Sequence, residues 1–255
     1  MKQMTKGILY DSVLCLGCGA CYQACKERNG LARTSDNFLK DTLSDRTYTV
    51  VNKRSGRFIR KMCMHCNSPA CVSVCPVGAL EKTALGPVIY HEGRCIGCRY
   101  CMQACPFGIP KYEWSKALPR VRKCEMCWDS ILAGQETACS QVCPTGATTF
   151  GDRDGLIREA RRRIRSNPGR YVDRIYGLEE IGGTSVMILS AVPMEALGYP
   201  DKLSKDPLPS LTWNALKHIP GLVGLGAVLL GGIWWIANRR IEVENAEQAE
   251  ADKPV

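Results

Sequence analysis

The chain has 255 residues, 16 of them cysteine, and carries a formal charge of +9. Its length allows two domains and exceeds that of the small secreted scaffolds held together by disulfides. The basic balance suits nucleic acid or an anionic surface, but no aromatic residue interleaves with the densest basic run, REARRRIR at 158–165, so that run reads as a solvated or partner-facing surface.

The N-terminal stretch MKQMTKGILYDSVLC has no apolar core and no twin arginine. It does not read as a signal peptide, so the chain is expected to begin in the cytoplasm. Four cysteine groups follow: CLGCGACYQAC at 15–25, CMHCNSPACVSVCP at 63–76, CIGCRYCMQACP at 95–106 and CEMCWDSILAGQETACSQVCP at 124–144. No cysteine is left over. Groups one and three read C-x2-C-x2-C-x3-C, group two widens the middle gap to x4, and group four widens it to x11. Residues 31–60 and 107–121 look like polar insertions without strong periodicity. Runs at 48–52, 86–90 and 148–150 suit small two-stranded sheets.

The arginine run belongs to a helix expected to start near Asp154 and to stop at Pro168 and Gly169. Next comes GGTSVMILSAVP at 182–193, an apolar, β-rich run expected to dock on the body, and then a proline- and lysine-rich extended linker over 198–212. Residues 219–237, IPGLVGLGAVLLGGIWWIA, are 19 residues without a charge, long enough to span a hydrocarbon core. Trp213, Trp234 and Trp235 bracket this run, and Arg239 and Arg240 follow it. Its five glycines, Gly221, Gly224, Gly226, Gly231 and Gly232, suit close packing among membrane helices. The arginine pair outweighs the more distant Lys202, Lys205 and Lys217, which predicts a cytoplasmic C-terminus and a body on the outer face.

The run C-x2-C-x2-C-x3-C is the ligand pattern of bacterial 4Fe–4S ferredoxins, in which the fourth cysteine ligates the other cluster of a pair. Zinc needs two C-x2-C knuckles per ion, whereas groups one and three have a third cysteine and a proline follows three of the four terminal cysteines. Disulfides belong to shorter secreted chains, and cysteines two residues apart pair poorly. Gly17, Gly19, Gly78, Gly97, Gly108 and Gly146 recur within or just after the motifs, where they let backbone N–H groups turn towards sulfur. Pro76, Pro106 and Pro144 are placed to end the short helix at each fourth ligand.

Crossed ligation then predicts four sets: Cys63, Cys66, Cys71 and Cys105; Cys95, Cys98, Cys101 and Cys75; Cys15, Cys18, Cys21 and Cys143; and Cys124, Cys127, Cys139 and Cys25. The fold class expected is α+β, with two nested, pseudo-twofold ferredoxin-like lobes holding four 4Fe–4S clusters and one C-terminal transmembrane helix. Residues 1–62 and 119–150 would form one lobe and 63–118 the other. Residues 151–212 would supply the helix, docking segment and linker, 213–238 the anchor and 239–255 a polar tail. Four oxidised clusters would add about −8 and bring the net charge to about +1, so much of the basic excess is local compensation.

The stretches LYDSVLCLGCGAC, CMHCNSPACVSVCPVGAL, CIGCRYCMQACPFGIPKYEW, GQETACSQVCPTGATTFG and GGTSVMIL resemble the four-cluster iron–sulfur subunits of the molybdopterin oxidoreductase family. The resemblance covers most of residues 8–192. With the anchor, it points to the β subunit of membrane-bound formate dehydrogenase and to the ferredoxin-like subunit of membrane uptake nickel–iron hydrogenases. The missing export signal resembles the first type, while YDSVLC and KYEW look more like the second.

The resemblance implies the same crossed ligation and four full cubanes, since no ligand position is replaced and Trp128 follows Cys127 without displacing it. It also implies electron transfer between a catalytic subunit (molybdenum or tungsten, with nickel–iron as the alternative) and a quinone-reactive cytochrome b in the membrane. No catalytic residue of the chain's own stands out, and no nucleic-acid partner is expected. A redox sensor, the rival class, would need an output module, and none is visible. His65 reads as a spacer, His91 as a lone residue without a visible partner, and His218 as a polar residue at the membrane boundary.

Overall fold

The computed structural model describes residues 5–32 and 37–251. The first four residues of the N-terminal stretch, residues 33–36 of the first expected insertion and the last four of the expected tail lie outside the described residues. Two compact units emerge, Met1–Pro209 and Ser210–Val255. Among the described residues nine strands are present: β1 (Lys6–Asp11), β2 (Val50–Arg54), β3 (Arg57–Lys61), β4 (Leu80–Lys82), β5 (Val88–Tyr90), β6 (Lys111–Tyr112), β7 (Val121–Arg122), β8 (Thr148–Asp152) and β9 (Val186–Leu189). The helices are α1 (Ala20–Arg28), α2 (Ala70–Ser73), α3 (Tyr100–Ala104), α4 (Trp128–Leu132), α5 (Ala138–Gln141), α6 (Arg153–Ser166), α7 (Leu208–Leu216) and α8 (Ile219–Ala251).

The body is organised by β1. The centre of its sequence, KGILYD, is the apolar run Ile8, Leu9 and Tyr10, because the strand is covered on both faces. It pairs antiparallel with β8, from Lys6 opposite Asp152 to Tyr10 opposite Thr148, and parallel with β9, from Ile8 opposite Val186 to Asp11 opposite Leu189. Alternation along the strand sends Ile8 and Tyr10 to one face, where they pack with Val186, Ile188, Met126 and Cys139. Leu9 goes to the other face with Met187 and Leu189, against Leu156, Ile157 and Ala160 of α6. One sheet therefore separates a cysteine-bearing side from a helical side. The segment expected to dock on the body supplies the third strand of this sheet.

Helix α6 starts within one residue of the expected position and stops just before Pro168. Its arginines do not form a uniform solvated face. Arg163 turns in to the fully buried Asp11 at 3.1 Å, and the Tyr171 hydroxyl donates to the same carboxylate oxygen at 2.9 Å. Glu159 ties Arg162 and Arg163 together at 2.7 and 2.8 Å. The other carboxylate oxygen of Asp11 accepts the Val13 and Leu14 N–H groups, turning the chain out of β1 towards Cys15. Leu14 thus leads directly into the first cysteine group.

The two expected insertions contain hairpins. β2 pairs with β3, and β6 with β7. Each lays an aromatic ring against a motif glycine: a Cβ on Gly17 would meet the Phe58 ring at 2.4 Å, and one on Gly97 the Tyr112 hydroxyl at 3.1 Å. The expected linker is also partly tied down. The Ser204 and Lys205 carbonyls accept the Ile181 and Gly182 N–H groups at 2.7 Å each, Asp201 pairs with Arg174 at 2.7 Å, and the Pro200 carbonyl accepts the Tyr176 hydroxyl.

Among the described residues one stretch, Leu208–Gln248, all but its first two residues in the second unit, is long and apolar enough to cross a membrane. Pro220 falls in the first turn of α8, where its missing N–H costs little. The helix does not stop at the expected end of the anchor near residue 238 but runs on to Ala251. The glutamates, alanines and glutamine of that region are good helix formers, and Arg239 pairs with Glu242 at 3.1 Å.

Candidate iron–sulfur sites

Each cysteine group is a tight turn that leads into a short helix. The residue before the second cysteine is left-handed in all four groups: Gly17 (φ 69°), His65 (φ 48°), Gly97 (φ 70°) and Met126 (φ 57°). That conformation bends the C-x2-C loop so that an N–H group points back at the first thiol. Gly97 N–H donates to Cys95 Sγ at 3.4 Å, and Met126 N–H to Cys124 Sγ at 3.3 Å. The fourth thiols receive N–H groups from the turn that follows them, Ala79 to Cys75 at 3.2 Å and Thr148 to Cys143 at 3.3 Å. These bonds hold sulfur lone pairs in fixed directions and favour the thiolate.

The cysteines from distant groups meet. One cavity is lined by Cys15, Cys18, Cys21 and Cys143, with Leu16, Gly17, Tyr10 and Thr148 around them. Another is lined by Cys75, Cys95, Cys98 and Cys101, with Ile96, Tyr90 and Val121. Burial pushes the Cys66 thiol up, with Cys63, Cys105 and Cys71 as charged neighbours adding to the shift. Burial likewise pushes Cys25 up to about 12, helped by Cys139 and Cys127, and drives Cys124 well above the ordinary thiol value, helped by Cys25, Cys63 and Cys127. In each of the four expected sets, the structure thus brings together cysteines from two separate groups.

The donors fit a multinuclear cluster better than a single ion. All sixteen cysteines are free thiols. Among the described residues, no three His, Cys, Asp or Glu side chains are grouped as a single-ion site, which gives the zinc alternative no support. Burial works against the thiolates, yet some are already favoured. Burial opposes ionisation of Cys95, but the Tyr90 hydroxyl and the Gly97 and Val121 N–H groups facing it hold its pKa below the ordinary value. Cys143 is held low against burial by the Thr148 N–H and Thr145. A groove lined by Arg161, Arg165, Arg174 and Lys205 among others contains no cysteine.

Comparison with known proteins gives these cages a family. A family model described as 4Fe-4S dicluster domain matches residues 55–153, and one described as 4Fe-4S binding domain matches residues 15–29. The chain is 38% identical over 240 residues to the hydrogenase-2 operon protein HybA of Escherichia coli O157:H7, a match covering 76% of this chain and 72% of that one. It is 34% identical over 274 residues to the formate dehydrogenase-O iron–sulfur subunit of Escherichia coli K12, covering 96% of this chain and 88% of that one. The chain belongs to this family of 4Fe–4S subunits. A protein of Nitratidesulfovibrio vulgaris is 41% identical over 261 residues, covering 97% of this chain and 70% of its own length.

Several side chains of this iron–sulfur subunit were not legible as site residues. His65 is fully buried, and its Nδ1 accepts the Val88 N–H at 2.8 Å, so it is a spacer that fastens group two to β5. Burial holds its pKa well below the ordinary value, and the nearby Lys123 and Lys82 add to this. His91 has a partner after all, Glu81 at 2.8 Å. His218 lies in the second unit, in the turn between α7 and α8, where its N–H donates to the Ala215 carbonyl. Tyr10 and Tyr90 each stand five residues before the first cysteine of a regular group, a repeat visible on aligning groups one and three. Arg60 had no such signal, since it is one of several basic residues ahead of Cys63.

Proposed function

We propose that the sixteen cysteines hold four 4Fe–4S clusters in the crossed sets given above, within two nested ferredoxin-like lobes (1–62 with 119–150, and 63–118). The subunit would conduct electrons in a membrane-bound respiratory oxidoreductase and catalyse no bond chemistry of its own. When bound, such clusters accept and release single electrons. The chain's own residues fix the cages, exclude water and set the local charge.

The observation that carries this reading is the linear order of the sets. Cys21 has Cys139 as a charged neighbour, Cys124 has Cys63, and Cys71 has Cys101. These contacts support a row that begins with the Cys15/18/21/143 set and continues through the Cys25/124/127/139 and Cys63/66/71/105 sets. It ends at the Cys75/95/98/101 set. A row with two ends suits a conductor between two partners better than a sensor.

The partners follow from the relatives. A catalytic subunit of the formate dehydrogenase type would stand at one end of electron flow and a quinone-reactive cytochrome b at the other. The alternative is a nickel–iron hydrogenase, favoured by the KYEW and YDSVLC stretches and by the identity to HybA. The apolar stretch Leu208–Gln248 would anchor the subunit, with the C-terminus cytoplasmic and the cluster body on the outer side. Lys205, one of the lysines that oppose this orientation, is paired with Glu179 at 2.7 Å.

The test is purification of the tagged full chain in mild detergent, with metal analysis of everything that accompanies it. About 16 irons per chain, plus those of the partner, are expected. Molybdenum or tungsten identifies the formate dehydrogenase type and nickel the hydrogenase type. A chain isolated alone with zinc and little iron overturns the reading. Deleting residues 210–255 should release the subunit from membranes and stop quinone reduction by the complex.

A further inference from the structure

Arg60 is the most unusual charge in the body. It lies on β3 opposite Val51, and it is only 2% exposed. The Tyr199 hydroxyl donates to its carbonyl at 2.8 Å, so the backbone is held in place. The guanidinium donates from Nε to Thr49 Oγ1 at 2.8 Å and from Nη1 to Thr148 Oγ1 at 3.4 Å. Both acceptors are neutral hydroxyls.

A buried cation without an anion costs several kcal/mol. The buried carboxylates among the described residues are Asp11, Glu113 and Glu180. Each is engaged elsewhere: Asp11 by Arg163, Glu113 by Lys116 and Arg122, and Glu180 by Arg174. The anionic neighbours that act most strongly on Arg60 are thiolates. Thr148 links it to one set, because its hydroxyl accepts from Arg60 while its N–H donates to Cys143 Sγ at 3.3 Å. Burial disfavours the Arg60 charge, but Cys139, Cys21 and Cys124 around it more than restore the preference for it. Cys21 belongs to the first set of the row, and Cys139 and Cys124 belong to the second.

We infer that Arg60 is the shared counter-cation of the Cys15/18/21/143 and Cys25/124/127/139 clusters and raises the reduction potential of both. This rests on the ligand reading above. Reduction adds one negative charge to a cluster and moves no proton, so a fixed positive charge beside it favours the reduced form. Arginine suits the role because its guanidinium keeps its proton at any physiological pH. Lys82, a half-buried cation, neighbours Cys66, Cys63 and Cys71 of the third set instead.

The experiment compares Arg60→Gln and Arg60→Lys with wild type, as the full chain in its purified complex, by iron content and by redox titration followed by electron paramagnetic resonance. In Arg60→Gln the iron content is retained, and two of the four midpoints fall by at least tenfold in the oxidation–reduction equilibrium, about 59 mV per electron. The other two stay within about twofold, and Arg60→Lys recovers most of the loss. All four midpoints unmoved, or all four moved alike, overturns the proposal. If Arg60→Gln loses its clusters, Arg60→Lys decides: clusters retained support a charge role, and clusters lost overturn it. Wild-type protein short of four clusters overturns the ligand reading and this proposal together, whereas a full complement with unmoved midpoints overturns this proposal alone.

Discussion

The two outer sites of the proposed row and the two inner ones are built differently. The outer sites would take three thiols each from groups one and three, the regular motifs, and the inner sites from groups two and four, the stretched ones. At the position after the first cysteine, the outer motifs carry Leu16 and Ile96, 67% and 65% exposed, whereas group two carries Met64 at 1%. At the next position the outer motifs have glycine, overlaid by Phe58 or Tyr112, and the inner motifs have His65 and Met126, both buried. The same left-handed turn is therefore reached at low cost outside and under strain inside, where the side chain fills the core between cages. A widened spacing marks an interior site.

Three tests bear on that contrast. The largest effect is expected from Cys25→Ser, which should remove the inner cluster of Cys124, Cys127 and Cys139, about 4 of 16 irons, and interrupt conduction. Iron analysis and paramagnetic resonance would check it. Loss of the Cys15/18/21 cluster with the inner one intact would contradict the crossing.

Next come paired substitutions at the left-handed position, read as loss of iron–sulfur absorbance on heating. Gly17→Ala should destabilise by about 2–3 kcal/mol, because an L residue resists that backbone and the Phe58 ring must move. Met126→Gly should cost a similar amount, about 2–3 kcal/mol, for the opposite reason, since relieved strain does not offset the lost core contacts. By contrast, Leu16→Gln and Ile96→Gln should each stay within about 0.5 kcal/mol of wild type.

A further, smaller effect concerns α6, on the opposite face of the sheet from Ile8 and Tyr10. Arg162 and Arg163 hold the Glu159 carboxyl at about 2, below its ordinary 4.5. The folded state thus binds fewer protons, so the stabilisation is complete above about pH 4.5 and disappears as pH falls through about 2. Glu159→Gln should lower stability by about 1 kcal/mol at neutral pH after solvent screening, and the difference from wild type should shrink on acidification. A difference independent of pH would assign the effect to packing.

Much of the body was readable because ligand spacing is a local property. The cysteine groups, the recurrent glycines, α6 and the apolar C-terminal stretch all follow from short-range pattern. Of the hairpin β2–β3, the run at 48–52 signalled β2, but nothing signalled β3. Its buried positions include Arg60 beside Ile59, and a charge at a core position breaks the apolar alternation that signals a strand. The pairing of β9 with β1 was hidden for another reason, since Ile8 and Val186 lie far apart in sequence and a parallel partner leaves no turn signal. The partners of His91 and Arg163 are equally non-local.

The sequence alone determined the number of thiols, their grouping and the chemistry they suit, because metal ligation within a loop depends on spacing over a few residues. Spacing also predicted which cysteine groups cross; tertiary structure alone decided how deeply each motif is buried and where a single buried arginine lies among the thiols. Those depend on contacts between segments far apart in sequence, which spacing along the chain does not encode.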